Sequence, residues 1–428
     1  MNVAIVLFTR DLRVHDNAAL TTATREHDHV VPLFVLDEPL LRRAGTPNRT
    51  SFLLASLHDL RASLRRAGGD LVVRRGSVVA EVARIAAATG AKTLLMGEDD
   101  SPYAQRRLRR LREQLDVRVE NTITAVAPGE LAPADRDHYR VFTPYWRRWR
   151  VHPRPPILDP PTRVTLPQLD AGRLPALGEL VPERPAPNLP RGGEAAARRR
   201  LECWLEAGDA DYGTTRDELG ASRTSRLSPY LHFGCISSNE AASRAGQTEF
   251  VRQLCWRDFY AQLLAANPHT ADQDLHPRRH AWNEDDDALA RWRAGRTGVP
   301  VVDAGMRQLH AEGWMHNRAR LIVAAFLTKT LGLDWRDGAH AFADLLVDAD
   351  VASNAGNWQW VSGTGVDTRP GRRFNPLRQA QRHDPNGDYV RRYVPELADL
   401  PGPAVHEPWR APLARVAPEY PPPLGDVA

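Results

Sequence analysis

Five short apolar runs recur through the first 130 residues, each separated from the next by a longer stretch. They are VAIVLF at 3–8, HVVPLFVL at 29–36, DLVVRRG at 70–76, KTLLMG at 92–97 and VRVENT at 117–122. Residues 51–66 and 77–89, which lie between runs, have amphipathic helical spacing. Such alternation is typical of a parallel sheet covered on both faces by helices. It predicts a doubly wound, Rossmann-like α/β domain over residues 1–130, although no GxGxxG follows the first run.

A proline-rich stretch ends this alternation. Residues 150–190 hold eleven of the 34 prolines, and proline neither sustains a helix nor pairs within a central strand. We therefore predict an extended connector over residues 131–192. From residue 193 onward the apolar spacing is helical, and nine of the eleven tryptophans lie beyond residue 200. The pattern predicts an all-α domain over residues 193–428.

One predicted helix carries an unusual face. The stretch TEFVRQLCWRDFYAQLLAANP spans 248–268. Positions three and four apart share a helix face, which groups Phe250, Gln253, Trp256, Arg257 and Tyr260. A buried helix with satisfied polar groups and a ligand-binding face both fit this mixture of aromatic and polar side chains.

A second helix is predicted over GWMHNRARLIVAAFLTKTLGL at 313–333, where Asn317, Arg320 and Leu321 share a face. A buried arginine needs a partner, because an unpaired charge in a low-dielectric interior is costly. Asp348 and Asp350 in VDADVASN are the candidate partners. A helix-anchoring ion pair would explain them as well as a binding site would.

Two other stretches suggest specific local geometry. In SNAGNWQW at 353–360, helical spacing would turn Trp358 and Trp360 about 200° apart. In SRTSRLSPYLHFG at 222–234, Ser228 is predicted to cap a helix that begins at a proline. Thr224 through Arg226 would add hydroxyls and a guanidinium to that helix start, which suits a pyrophosphate. A capped helix without a ligand fits the same residues.

Composition and charge narrow the class of protein. Of 428 residues, 42% are hydrophobic, and the first apolar run is only six residues, too short for secretion or a membrane span. The three cysteines form no CxxC pair, so a reduced cytoplasmic compartment is predicted. The net charge is +4, but residues 369–392 carry seven arginines against two aspartates. That surface suits a phosphate-bearing partner or a solvated face.

Known catalytic motifs are absent. The chain has no GxSxG, HExxH, Walker lysine loop or DxDxDG loop. No metal site is predicted.

Six stretches occur in a recognisable order: LFTRDLRVHDNAAL, TSRLSPYLHFG, WRDFY, GVPVVDAGMRQLHAEGWMHNRARL, NWQWVSGTG and FNPLRQAQRHDPNGDYVRRYVPEL. In these stretches the chain resembles the photolyase/cryptochrome family, most closely its bacterial class I cyclobutane pyrimidine dimer (CPD) photolyases. The resemblance covers nearly the whole chain. It implies an α/β antenna domain, a connector and an all-α FAD-binding catalytic domain. It also implies a monomer that binds UV-damaged DNA.

The resemblance implies roles for particular residues. The flavin would contact Tyr212, Thr224, Ser225, Arg226, Leu227, Ser228, Phe250, Arg257, Asn317, Arg320, Asp348, Asp350 and Asn354, with Arg320 and Asp348 paired beside its ring. The lesion or DNA would contact Arg216, Gln253, Trp256, Asn317, Arg318, Leu321, Trp360 and Gln379. Trp282, Trp335 and Trp358 would pass electrons to the flavin.

The implied activity is light-driven DNA repair by a deoxyribodipyrimidine photo-lyase. Reduced FAD would transfer an electron to a flipped-out pyrimidine dimer, whose cyclobutane ring then splits. Two alternatives within the family are a 6-4 photolyase and a cryptochrome-type blue-light photoreceptor. The first would carry His where this chain has Asn317 and Leu321, and the second commonly lacks the asparagine found at 354.

Two positions depart from the class I pattern. Gln253 stands where glutamate is common, and an amide cannot hold the same proton or charge. Leu321 stands where methionine is usual, and both side chains fill apolar space.

Tyr103 and Ala104 replace the Asn-Glu pair of folate-binding members. The resemblance therefore favours 8-hydroxy-5-deazaflavin over methenyltetrahydrofolate as antenna, near residues 9–15, 34–52 and 96–106.

Overall fold

The structure is a computed structural model. It describes residues 2–207, 211–221, 223–246, 248–277, 281–366, 374–410 and 419–425. Part of the predicted basic stretch, residues 369–373, and Ser222 lie outside these ranges. Two compact units are present. The first unit comprises residues 1–185, 190–210 and 225–268, and the second comprises 186–189, 211–224 and 269–428. The predicted domain boundaries at residues 130 and 192 stay a prediction.

The first unit contains a five-stranded parallel sheet. Its strands are β1 (Val3–Leu7), β2 (His29–Asp37), β3 (Val72–Gly76), β4 (Thr93–Gly97) and β5 (Asp116–Glu120). They are ordered β3-β2-β1-β4-β5, as in a doubly wound fold. Ile5 pairs with Val31 on one side and Leu94 on the other, and all three are fully buried. The α/β fold predicted from the apolar runs is confirmed.

The remainder of the described chain is mostly helical. The helices are α1 (Ala18–Glu26), α2 (Glu38–Ala44), α3 (Pro47–Arg66), α4 (Val78–Thr89), α5 (Pro102–Arg112), α6 (Phe142–Trp149), α7 (Glu194–Ala207), α8 (Tyr212–Thr215), α9 (Ser228–His232), α10 (Ser238–Ala245), α11 (Glu249–Ala266), α12 (Asp286–Arg293), α13 (Pro300–Glu312), α14 (Asn317–Ala325), α15 (Trp335–Leu345), α16 (Val351–Ser362), α17 (Pro376–His383) and α18 (Asp388–Tyr393). A π-helical turn follows α14 at Phe326–Thr330. Short 3-10 segments lie at Leu177–Glu179, Pro268–Ala271, Pro395–Leu397, Gly402–His406 and Pro408–Arg410.

The proline-rich part of the predicted connector is irregular, but helix α6 (Phe142–Trp149) lies within the predicted range 131–192, because prolines are dense only from residue 153 onward. Between residues 150 and 190 the only regular element is the 3-10 turn at Leu177–Glu179. Backbone hydrogen bonds attach the connector to the sheet. For example, the N–H of Val30 in β2 donates to the carbonyl of Thr165. The proline content explains the lack of helices because proline has no N–H to donate.

The second unit has its own apolar core. Its largest fully buried side chains include Trp292, Trp335 and Phe326. The chain's end joins this core, since Tyr420 donates a 2.7 Å hydrogen bond to the fully buried carboxylate of Asp303. Among the described residues, no helix is both long and apolar enough to span a membrane.

Candidate active site

Helix α11 of the first unit is fixed by a buried carboxylate. Oδ2 of Asp258 accepts hydrogen bonds from the backbone N–H groups of Ala125 and Val126 and from Nε1 of Trp149, at 2.9–3.1 Å. Burial raises the pKa of Asp258 to about 6, against the opposing effect of the Arg257 charge. These bonds set the rotation of α11, and with it the direction of the mixed face predicted from the sequence.

The mixed face is present, and its members differ in surroundings. Trp256 is partly exposed, and its ring stacks on Phe142 with centroids 3.7 Å apart and planes only 5° from parallel. Tyr260 lies next to it at 5.6 Å. Gln253 is partly exposed, and its side chain forms no hydrogen bond with another described residue. Phe250 is buried against Trp204. Trp256, Gln253 and Arg257 are thus the partly exposed members of this face, whereas Phe250 and Tyr260 are buried.

Arg257 has structural partners. Its guanidinium donates to the carbonyl oxygens of Ile123 and Leu231 and to the hydroxyl of Ser238, at 2.7–3.1 Å. These bonds join α11 to the loop after β5 and to α9 and α10. The observed hydrogen bonds of Arg257 hold neighbouring segments of the first unit together. A flavin contact by Arg257 stays a prediction.

The segment Thr224–Ser228, predicted to bind a pyrophosphate, combines backbone strain with positive charge. Arg226 has a left-handed backbone with φ 51°, which is uncommon for a residue with a side chain and concentrates at functional sites. Arg200, which the sequence analysis did not identify, donates 2.8 Å to the carbonyl of Ser225. Burial and the nearby Arg226 charge lower the pKa of Arg200. Two half-buried like charges beside one backbone turn favour an anionic ligand.

The capping prediction at this helix is wrong. Ser228 is the first residue of α9, Leu227 occupies the N-cap position, and no side chain caps there. Pro229 lies in the first turn, as predicted. Oγ of Ser225 accepts a 3.3 Å hydrogen bond from the backbone N–H of Leu227, the N-cap residue. Thr224 belongs to the second unit and is partly exposed.

In the second unit the predicted pairing of Arg320 with Asp348 is confirmed. Nη2 of Arg320 lies 2.8 Å from Oδ2 of Asp348. Asp348 is 7% exposed, and its Oδ1 is buried without a partner among the described residues. Asp350, the other candidate, caps α16 by accepting from the N–H of Ser353. Asn354 is partly exposed and donates 3.0 Å to the carbonyl of Ala339.

Arg318 lies near Arg320 in sequence but pairs elsewhere. Its Nη2 lies 2.6 Å from Oδ2 of Asp217, a partner that the sequence analysis did not identify. Burial alone would raise the pKa of Asp217, but the hydrogen bond and charge of Arg318 lower it below its ordinary value. Burial and the Arg318 charge likewise lower the pKa of His383. Arg318 is thus held by a carboxylate beside an imidazole that favours its neutral form.

The other predicted DNA-facing positions of the second unit are accessible. Asn317 is exposed, and Arg216 and Leu321 are partly exposed. Gln379 on α17 has a buried Oε1 that has no partner among the described residues. Tyr212 begins α8 and is partly exposed.

In the described part of the predicted basic stretch, Arg391 donates hydrogen bonds to the carbonyls of Leu400 and Gly402, whereas Arg378, Arg382 and Arg392 are exposed.

The two tryptophans of α16 have different environments. Trp358 is 2% exposed and packs edge-on against Phe342 and Trp292, at 5.0 and 6.1 Å. Trp360 is partly exposed, with Phe374 at 6.5 Å. The expectation that they face apart is confirmed.

The other predicted electron carriers also lie in this unit. Trp335 is buried at the start of α15 and donates 2.8 Å to Asp274. Trp282 is partly buried against the same core.

A separate polar cluster lies at the carboxyl ends of β1, β2 and β4. Tyr103 donates to the carboxylate of Asp37, and burial together with that carboxylate raises the pKa of Tyr103 to about 12. Asp99 lies 3.7 Å from Arg10. Burial and the neighbouring Glu98 and Asp99 charges raise the pKa of Asp100 to about 7. Ligands of open parallel sheets bind at this end of the strands.

Each unit, taken by itself, offers groups of a kind that the flavin implied by the resemblance would contact. The second unit offers the unpartnered Oδ1 of Asp348 and the accessible amide of Asn354, groups that suit a polar heterocycle. The first unit offers a positive backbone turn at Ser225–Arg226 that suits phosphates. Within the described ranges, no group of His, Cys, Asp and Glu side chains forms a metal cluster.

Comparisons with known proteins agree across the chain. Residues 4–164 match the family described as DNA photolyase, and residues 250–428 match the FAD binding domain of DNA photolyase. The chain is 48% identical to the deoxyribodipyrimidine photo-lyase of Streptomyces griseus, covering 100% of this chain and 97% of the relative. It is 36% identical to a cryptochrome DASH of Gloeobacter violaceus, covering 99% and 93%. The crystal structure of a class III photolyase from Agrobacterium tumefaciens superposes with a TM-score of 0.91 at 34% identity, covering 100% and 95%.

Proposed function

Because the chain belongs to the DNA photolyase family, we propose that it is a deoxyribodipyrimidine photo-lyase that repairs pyrimidine dimers in DNA with light. The observation that supports this proposal is the ion pair between Arg320 and Asp348, in which Nη2 lies 2.8 Å from Oδ2. The other carboxylate oxygen, Oδ1 of Asp348, is buried and has no hydrogen-bond partner among the described residues. A buried carboxylate oxygen left without a partner costs about 1–3 kcal/mol, a cost that a ligand donating to it would remove. A polar ligand that donates to this oxygen accounts for it.

FAD is the cofactor that these residues would hold, and in its reduced, light-excited form it supplies the electron that opens the cyclobutane ring. Arg320 and Asp348 would fix the charge beside the flavin ring. Asn354, in the first turn of α16, would offer its amide. Ser225 through Ser228, with Arg226 and Arg200, would hold the phosphates through backbone N–H groups and guanidinium charge.

The lesion must leave the duplex before it reaches a buried cofactor. Trp256 in the first unit and Trp360 in the second are accessible aromatic surfaces on which extruded bases would stack, at about 1–3 kcal/mol per base. Gln253 would hydrogen-bond the lesion. Arg216, Arg318 and Asn317 would contact the strand, and Leu321 and Gln379 would complete the substrate-facing set.

Trp282, Trp335 and Trp358 are proposed as the electron carriers that return the flavin to its reduced state. Trp335 and Trp358 are buried, which protects them from solvent, and Trp282 is partly exposed. Asn354 is proposed to favour the reduced state through its amide.

An antenna chromophore of the 8-hydroxy-5-deazaflavin type is proposed for the cluster at the ends of β1, β2 and β4. Tyr103 and Asp37 already form a hydrogen bond there, so the position used by folate-binding members is occupied by a phenol. Methenyltetrahydrofolate in protein purified from its native host would contradict this assignment. The absorption spectrum of that protein identifies the chromophore.

The test is repair of an oligonucleotide that contains one thymine dimer. Chemically reduced protein under blue light should restore the dimer to two thymines, and the same sample in the dark should not. A sample that retains FAD yet leaves the dimer intact in the light would refute repair and point to the photoreceptor alternative. A 6-4 lesion serves as the matched substrate control and should remain unrepaired.

A further inference from the structure

Helix α6 of the first unit has two chemically distinct faces. Phe142, Tyr145 and Trp149 are buried, and their spacing of three and four residues makes one stripe. Arg147 and Arg148 are exposed on the remaining surface. The buried stripe joins α6 to α11 through stacked and edge-on rings, so the outer face is held in a fixed position.

The two exposed arginines lack acidic partners. Within the described ranges, no carboxylate lies within 4 Å of the Arg147 or Arg148 guanidinium. Other exposed arginines of this unit do have partners, such as Arg75 with Glu38 and Arg118 with Glu26. Adjacent like charges repel each other, and no ion pair here offsets that repulsion. A polyanion would offset it without the cost of desolvating a buried charge.

The helix that carries this charged face also supports the accessible tryptophan of α11. Phe142, the first residue of α6, stacks on Trp256 at 3.7 Å. The Arg252 guanidinium lies 5.6 Å from the Phe142 ring centre on the same side of the unit. The eight-residue helix α6 therefore carries, on its inner face, the ring that supports Trp256 and, on its outer face, Arg147 and Arg148, and all of these residues belong to the first unit.

We infer that the outer face of α6 binds the sugar–phosphate backbone of the DNA strand that flanks the lesion. This inference rests on the proposed function, because it takes Trp256 as a wall for the extruded bases. Exposed arginines contact phosphates without reading sequence. The α6 face would thus hold undamaged flanking DNA of any sequence while Trp256 engages the bases.

The test compares two variants with the same charge change. In Arg147→Gln/Arg148→Gln the α6 face loses its charge. In Arg109→Gln/Arg110→Gln an equally exposed arginine pair is removed from α5, where no described carboxylate lies within 4 Å either. Helix α5 packs against α4 and β5, and its arginines form no ring contact with α11. Binding to a duplex with one thymine dimer is measured as a function of salt.

Each lost phosphate contact should lower the salt slope of log K by about 1. For the α6 variant the slope should fall by about 2, so that between 50 and 200 mM salt its affinity drops about 16-fold less than that of the wild type. The α5 variant should keep the wild-type slope. Arg147→Lys/Arg148→Lys, which retains the charge, should also keep it.

Three outcomes decide the matter. An unchanged slope in a folded α6 variant would overturn the inference. An equal fall in the α5 variant would overturn it too, since the effect would then be one of net charge. Wild-type protein that binds but does not repair would refute the proposed function, while the slopes would still decide whether α6 contacts DNA.

Discussion

Gly338 on α15 has no space for a side chain. A Cβ there would lie 2.2 Å from Cη2 and 2.5 Å from Cζ3 of Trp358, and 2.7 Å from Cδ2 of Leu327. Contacts under 3 Å force a neighbour to move. The Trp358 ring is 2% exposed and enclosed by Phe342 and Trp292, so it cannot swing into solvent. Gly338→Ala should therefore displace the indole proposed to carry electrons.

The magnitude follows from two opposing effects. Overpacking a tight core costs about 1–3 kcal/mol, and three clashes place this site near the upper end. Alanine is favoured over glycine in a helix by about 1 kcal/mol. The net loss should be about 2 kcal/mol, which is a fall of roughly 4–8 °C in melting temperature for a unit of this size.

Thermal unfolding and blue-light photoreduction of the bound flavin are the assays. Photoreduction should slow in Gly338→Ala and in Trp358→Phe, whereas repair by chemically reduced protein should stay close to wild type. Phenylalanine lacks the outer indole atoms that clash, so the double variant should recover about 2 kcal/mol relative to the sum of the singles. Gly178→Ala, where no atom lies within 4 Å, is the control.

Additivity of the two substitutions would refute the reasoning, because it would show that the new methyl group does not press on Trp358. Equal loss of photoreduction and of repair by reduced protein would contradict the separate role given to this tryptophan.

Three further predictions concern single side chains. Gln253→Glu should raise the repair yield or leave it unchanged, and a large fall in yield would contradict the role assigned to this position. Burial raises the pKa of Asp258 from 3.8 to about 6, so the folded state binds this proton more tightly than the unfolded state. Stability should therefore fall by up to about 3 kcal/mol as pH rises from about 4 to about 6 and then level off. The free energy of unfolding of Asp258→Asn, measured by urea titration, should not show that fall between about pH 4 and about pH 6. The same pH dependence in the variant and the wild type would contradict the prediction. Tyr420→Phe removes a hydrogen bond to the buried Asp303 carboxylate. It should lower the free energy of unfolding by about 1.5–3 kcal/mol, and an unchanged urea midpoint would contradict this.

Where local pattern decides structure, the sequence was sufficient. The five apolar runs became the five parallel strands, and the three central strands β1, β2 and β4 are apolar at nearly every position because they are buried on both faces. Proline density predicted the irregular connector, since proline removes backbone donors. Helical spacing separated Trp358 from Trp360. The ordered motifs identified the family, and the requirement that Arg320 be paired limited its partner to two aspartates.

Contacts between distant segments were decided only by the tertiary structure. The sequence left Asp348 and Asp350 as alternatives, and the fold assigns one to Arg320 and the other to a helix cap. Nothing in local spacing indicates that Asp217 meets Arg318, 101 residues away. The same holds for Phe142, whose ring lies against Trp256. Side-chain periodicity fixes which face a residue occupies, but only the packing of whole helices determines what that face meets.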